Sequence, residues 1–201
     1  MTLYVVKEEC DFRYLGTSGE LQFAVLLVAY GFICHAEVAV VHASLTRLAL
    51  ATSPATAFAN LSLTLTVRNK NWAMSVRNTQ AEPHEADYSF DDQRFKRVRL
   101  TDEGSTRPAG KTQANHLVSD ADSAYVALGN AGVEFKEENK TGVFQVEVAL
   151  SGEIRYEVHT SPKCKFLAIC PLKLQLTPPG TPAVLFQKVK CKLAPPDKNC
   201  L

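Results

Sequence analysis

The chain is 201 residues long, 46% apolar and 21% charged, with a formal net charge of +1. Those values fit one ordinary globular domain with extra segments, exclude wholesale disorder and leave no general electrostatic drive toward nucleic acid. Charge is uneven. Acids predominate between Glu82 and Asp92, while Lys163 to Lys198 holds seven lysines against one acid, Asp197, a pattern read as the solvated face of strands.

Met1 to Glu20 is mixed in charge and carries no motif. Leu21 to Ile33 is an uncharged run of 13 residues, short of the about 20 that cross a bilayer as a helix. Extended to Val41 it gains Ala36, Val38, Ala39, Val40 and Val41 and accepts His35 and Glu37. Residues 21–41 are therefore expected to form an apolar helix, a marginal or truncated membrane anchor with membrane lipid as its partner. A signal peptide cut after Ala36, or a buried first element of a soluble domain, are the alternatives. Lys7 and Arg13 are outnumbered by Glu8, Glu9, Asp11 and Glu20, whereas leaders and cytoplasmic anchor flanks are positive.

Val38 to Leu50 reads as two short strands before a loop at Pro54. In Asn60 to Val76, Leu61, Leu63, Leu65 and Val67 alternate with Ser62, Thr64, Thr66 and Arg68, the period of a strand with one buried face. Asn69-Lys70-Asn71 interrupts it and predicts a bulge or tight turn within a sheet. Trp72 is expected in the core or at its rim. Asp87 to Phe90 and Phe95 to Leu100 are brief strands around Asp91-Asp92, and Thr101 to Lys111 is a loop. Gln113 to Val118 reads as a strand. Helix is expected near Tyr125 to Leu128 or Val133 to Glu138. Phe144, Val146, Val148 and Leu150 alternate again, and Ser151-Gly152 predicts a hairpin returning through Ile154, Tyr156 and Val158.

From Lys163 to Thr177 the residues Cys164, Phe166, Ala168, Cys170, Leu172, Leu174 and Leu176 share one parity. Pro171 on the wet parity cannot donate to a ladder, so the strand is expected to bulge there or lie at an edge. Val184 to Leu193 changes phase and predicts a bulge near Gln187-Lys188. Many short strands, Gly/Pro turns and little helix give an all-β, antiparallel sandwich.

Four of the six cysteines, Cys164, Cys170, Cys191 and Cys200, lie close together near the end of the chain. No C-x-x-C pair favours zinc. Cys164 and Cys170, six positions apart on one strand face, stand roughly 20 Å apart at about 3.3 Å per residue, while bridged Cα atoms lie within about 7 Å. Each needs a partner elsewhere, and Cys191 and Cys200 are the candidates. Asn60-Leu61-Ser62 and Asn139-Lys140-Thr141 are N-glycosylation acceptors by pattern.

No catalytic, cofactor or metal residue is assigned. His35, His42, His84, His116 and His159 are scattered, and G-x-S-x-G, H-E-x-x-H and phosphate-loop patterns are missing from the sequence. His35, Glu37 and His42 invite a metal reading, but neighbouring strand parities diverge. Asp91-Asp92, near Glu82, Glu85 and Asp87, lacks calcium-loop spacing and reads as a solvated turn.

ASLTRLAL, NLSLTLTVRNKNWAMSV, YSFDDQRF, GVFQVEVALSGEIRY and CPLKLQLTPPGTPAVLFQKVKCKL resemble the plant late-embryogenesis-abundant group-2 domain. More closely they resemble its harpin-induced-like branch, related to non-race-specific disease-resistance proteins. The match runs roughly from Val38 to Cys200. Family members usually have Pro where this chain has Lys70, and a basic cytoplasmic N-terminus with a full apolar span. The resemblance implies an immunoglobulin/fibronectin-like β-sandwich over residues 42–201, held outside a plasma membrane by one N-terminal helix. It further implies a non-enzymatic role in defence, development or stress, an unknown protein partner and no nucleic acid. A cytosolic desiccation or stress protectant of the same fold is the alternative if the N-terminal segment does not insert. A lipid- or small-ligand-binding protein is a third.

Overall fold

The computed structural model describes residues 34–52, 55–79, 84–100, 104–125, 131–157, 163–177 and 187–195. Strands β1 (Glu37–Thr52) and β2 (Ala55–Arg68) pair antiparallel, and β7 (Thr112–Tyr125) takes the other flank of β2. The short β10 (Val189–Lys190) lies beside β1, giving the order β10-β1-β2-β7. A second sheet runs β11-β9-β8-β3-β6, from Lys192–Leu193, Lys163–Gln175, Val143–Tyr156, Val76–Asn78 and Thr106–Arg107. The hairpin β4 (Glu85–Phe90) and β5 (Gln93–Arg99) joins it along β8. The pairings between these strands are antiparallel, and the two sheets share one core, so the expected all-β sandwich is observed.

The alternation in β2 explains that core. Leu61, Leu63, Leu65 and Val67 are buried, while Ser62, Thr64 and Thr66 are half-buried on the other face. Facing them from the second sheet are Val146, Val148, Leu172 and Leu174, buried as their parity predicts. Phe166 is only half-buried and packs against this core from the side.

Several expectations are corrected. Residues 21–33 lie outside the described residues, but Glu37 to Val41 is the start of β1 rather than the end of a helix. Strand pairing to β2 satisfies their backbone, and Val38 and Val40 enter the core. The two strands expected from Val38 to Leu50 are one strand, with register shifts between Val40 and His42 and between Leu45 and Arg47.

Ser151-Gly152 is no turn either: β8 runs straight through it. Its register with β9 is unbroken from Val143 to Arg155, while its other flank changes partner from β4 at Ser151 to β3 at Ile154. Gly152 has a packing role instead. A Cβ there would stand 2.2 Å from Cδ2 of His84, so the buried imidazole occupies the place of a side chain.

Pro171 sits opposite Glu147 with no register shift, and β11 pairs with β9 only at Ala168 and Ile169. Among the described residues, then, no second strand pairs beside Pro171, so the edge alternative holds there and the bulge does not. The last apolar stretch does not form one bulged strand over its described part. It passes from the first sheet (β10) to the second (β11) at Cys191. Residues 184–186 lie outside the described residues. The one described helix, α1 (Ala131–Thr141), is at the second of the two expected places.

Candidate functional site

Asn69-Lys70-Asn71 is not a bulge. β2 ends at Arg68, and the chain leaves for the second sheet through two asparagines that are 0% and 2% exposed. Asn69 Nδ2 donates to the carbonyls of Met74 (2.7 Å), Arg107 and Pro108 (each 3.2 Å). Its Oδ1 accepts from Asn71 N and Nδ2. Asn71 completes a reciprocal pair with Cys34: Nδ2 donates to Cys34 O at 2.9 Å, and Oδ1 accepts from Cys34 N at 2.7 Å. A side-chain amide that both donates and accepts suits such a junction, where buried backbone groups would otherwise lack partners. Met74, not Trp72, then fills the core; Trp72 is 46% exposed at the rim.

Above this junction the two sheets are clasped. Cys170 of β9 and Cys191 are disulfide-bonded with Cα atoms 4.3 Å apart, one of the pairings that strand spacing allowed. Cys191 N also donates to Val38 O of β1 at 2.9 Å, and Ala194 N to Leu167 O of β9 at 2.8 Å. Cys34 and Cys164 each take part in a disulfide as well, neither of them the Cys170–Cys191 bridge, and no described cysteine is free. Cys164 and Cys170 are both buried, on the shared face that their parity predicted. Cys200 lies outside the described residues.

At this end a cavity of about 30 Å³ is lined by His35, Ala36, Ile154, Tyr156, Cys164 and Phe166, among others. It has room for little more than a water, against the about 300–1,000 Å³ of small-molecule sites. Burial pushes the Tyr156 hydroxyl up to about 12.

The remaining candidates are dispersed. Asn60 is exposed on the outer face of β2, and Asn139 is exposed on α1. Asp91 and Asp92, both exposed with φ of 47° and 59°, form the tight turn between β4 and β5. Paired positive φ values suit a two-residue hairpin connection, which Asp tolerates better than most residues. Asp87 lies on the strand behind it. Hydrogen bonding from Arg97, opposed by partial burial and helped by the charges of Arg97 and Arg94, holds its carboxyl below the usual range. Glu85 is ion-paired to Arg97 at 3.1 Å, so neither carboxylate is spare for a cation.

His35, Glu37 and His42 do not converge. His35 lines the cavity, Glu37 meets Lys190 at 3.7 Å, and His42 is exposed on the outer face of β1. The structure does align His42 with His116, an arrangement that sequence reasoning missed. Both stand opposite Thr64, from the two strands that flank β2.

Sequence reasoning also missed Glu138. It is 7% exposed under α1, with Oε2 accepting from Gln145 N at 3.0 Å and Oε1 lacking a hydrogen-bond partner among the described residues. Burial is the main cause that raises its pKa, with Glu134 and Asp91 adding to it. Phe135, one turn earlier, stacks on Phe144 with centroids 5.7 Å apart, which explains why the helix docks there at all.

Among the described residues no helix is long and apolar enough to cross a membrane. No protein-family model matches the chain, and no curated protein matches it.

Proposed function

We propose that the chain is a non-enzymatic interaction module in plant defence or stress responses. In this reading it is an immunoglobulin/fibronectin-like sandwich displayed on the outer side of the plasma membrane. The family resemblance in the five quoted motifs supports the role. The observation that supports the placement is the Cys170–Cys191 bridge, together with the bonded state of Cys34 and Cys164. Such bridges persist in oxidising compartments and are rare in the cytosol. Asn60 and Asn139, both exposed, are then open to glycosylation in the secretory pathway. The segment 21–33 is the proposed membrane contact, and an unknown protein is the partner.

The test is expression of the full chain in plant cells, followed by carbonate extraction and labelling of intact cells with an impermeant reagent. The expected product is membrane-retained and surface-labelled, shifts in mass on glycosidase treatment, and yields the Cys170–Cys191 peptide on non-reducing mapping. Recovery in the soluble cytosol with free thiols at Cys170 and Cys191 overturns the placement and favours a cytosolic protectant.

A further inference from the structure

The outer face of the four-stranded sheet carries a row of polar side chains that the sandwich itself does not require. His42 on β1 is the cross-strand partner of Thr64 on β2, and Thr64 is the partner of His116 on β7. A local irregularity in β1 creates the row. Val40 is buried, and strict alternation from it would turn His42 inward and Ala43 outward. The register shift between Val40 and His42 inserts one extra residue, after which Ala43 is buried and His42 is exposed. A bulge re-aims side chains in this way. His116 is exposed on the same face, while the next residue, Leu117, points into the core.

Two interstrand spacings place the histidine Cα atoms roughly 10 Å apart, with only a threonine between them. The ring of His116 already leans across β2, since its Nε2 lies 3.2 Å from Ser62 Oγ on that strand. Two imidazoles that flank one strand position from either side, with side chains free to turn toward it, suit a borderline metal ion bound at about 2.0–2.1 Å per nitrogen. The described cysteines are all disulfide-bonded, so they offer no thiolate to compete for the ion.

We propose that His42 and His116 form a two-histidine site for a divalent transition-metal ion, of the copper or zinc class, seated over Thr64. The ion takes Nε2 of His116 in place of the Ser62 hydroxyl, which turns to hydrogen-bond a metal-bound water. Among the described residues no group of three or more His, Cys, Asp and Glu is placed to hold a metal. Water therefore fills the other positions, and the site is open and exchangeable rather than a closed structural centre.

The experiment uses the full chain, folded with its disulfides and free of affinity-tag histidines. It is titrated with Cu2+ and with Zn2+ by calorimetry, and the histidine ring signals are followed by NMR. One saturable equivalent is expected, with the rings of His42 and His116 responding together. His42→Asn and His116→Asn should each lose that equivalent, while circular dichroism stays unchanged because both side chains are exposed. Thr64→His, which adds an imidazole at the centre of the row, should move the binding midpoint to lower metal concentration. A wild-type chain that binds neither ion overturns the proposal. So does either asparagine variant that binds like wild type, or a Thr64→His variant no tighter than the parent.

Discussion

Where β1 meets β9 the two sheets are joined by covalent and backbone bonds; where β5 faces β7 they are joined by side chains. On the first flank the chain itself crosses between sheets at Cys191, adding the Cys170–Cys191 bridge and the Cys191–Val38 and Ala194–Leu167 hydrogen bonds. Thr177 adds a further pair, with N and Oγ1 both donating to Leu45 O, at 2.9 and 3.1 Å. On the second flank no backbone ladder joins β5 to β7 among the described residues. Phe95 and Leu117 are buried there, and Arg107 Nε donates to Gln113 Oε1 at 3.2 Å. Polar ends are left over: Asn115 Nδ2 and Ser119 Oγ on β7, and Tyr88 Oη on β4, are buried without a hydrogen-bond partner among the described residues. A segment that crosses between sheets satisfies backbone and side chains together, whereas packing alone leaves such groups stranded.

The core shared by both flanks sets the scale. Leu63→Ala, at a fully buried position of β2, should cost about 2–5 kcal/mol in urea unfolding. Next comes the clasp. Replacing Cys170 and Cys191 together by Ala opens a loop with a sequence separation of 21 and should cost about 2–4 kcal/mol. If the flanks differ as described, hydrogen exchange in that variant should quicken in β1, β9 and β10 while β5 and β7 stay protected. Equal loss on both flanks would break the comparison.

The strands of both flanks were partly legible in the sequence, those of the second at Asp87 to Phe90, Phe95 to Leu100 and Gln113 to Val118, but the contacts between the sheets were not. Period-2 alternation marks which face of β2, β8 and β9 is buried, and six-residue spacing forbids a Cys164–Cys170 bridge; both rest on short-range geometry. The fate of Ser151-Gly152 depends on His84, which is far away in sequence and packs on Gly152, so a local hairpin rule misjudges it. The asparagine hub was missed for a similar reason. Asn69 and Asn71 carry ordinary turn signals, and only the convergence of Cys34, Met74 and Arg107 reveals why they are buried. The His42–Thr64–His116 row depends on a bulge in β1 and on cross-strand register, neither of which periodicity specifies.

The stranded polar atoms give a smaller effect of opposite sign. Tyr88 is fully buried, its hydroxyl has no partner among the described residues, and burial pushes its pKa upward. Tyr88→Phe keeps the ring against Phe95 and removes only the oxygen. It should leave stability unchanged or raise it by up to about 1 kcal/mol. A loss above that in thermal unfolding would mean that the hydroxyl has a partner and that this flank is better satisfied than described.

The smallest effect should be one of acidity, and it separates the flanks by chemistry. The clasp is made of a disulfide and backbone hydrogen bonds, none of which titrates. The β4–β5 hairpin relies on Asp87, whose Oδ1 accepts from Arg97 Nε at 2.6 Å and whose Oδ2 accepts from Nη2 at 2.8 Å. These bonds hold the Asp87 carboxyl below its ordinary value of 3.8. A depressed carboxyl pKa stabilises the fold above the unfolded value, and that contribution fades as pH falls through 3.8 toward the folded value. Glu153, lowered chiefly by the Thr79 hydroxyl and helped by Lys163, loses its contribution in the same direction. Glu138 runs the other way, because its folded pKa is raised: protonation removes the burial penalty, so α1 should hold or tighten in acid. Hydrogen-exchange protection factors taken from neutral pH down to about pH 3 should therefore fall first in β4 and β5, while β1 and β10 keep theirs. Asp87→Asn should abolish that early loss, since the variant has no charge to lose at residue 87. Acid loosening that begins instead in β1 would mean that the clasped flank, for all its covalent bonding, is the weaker one.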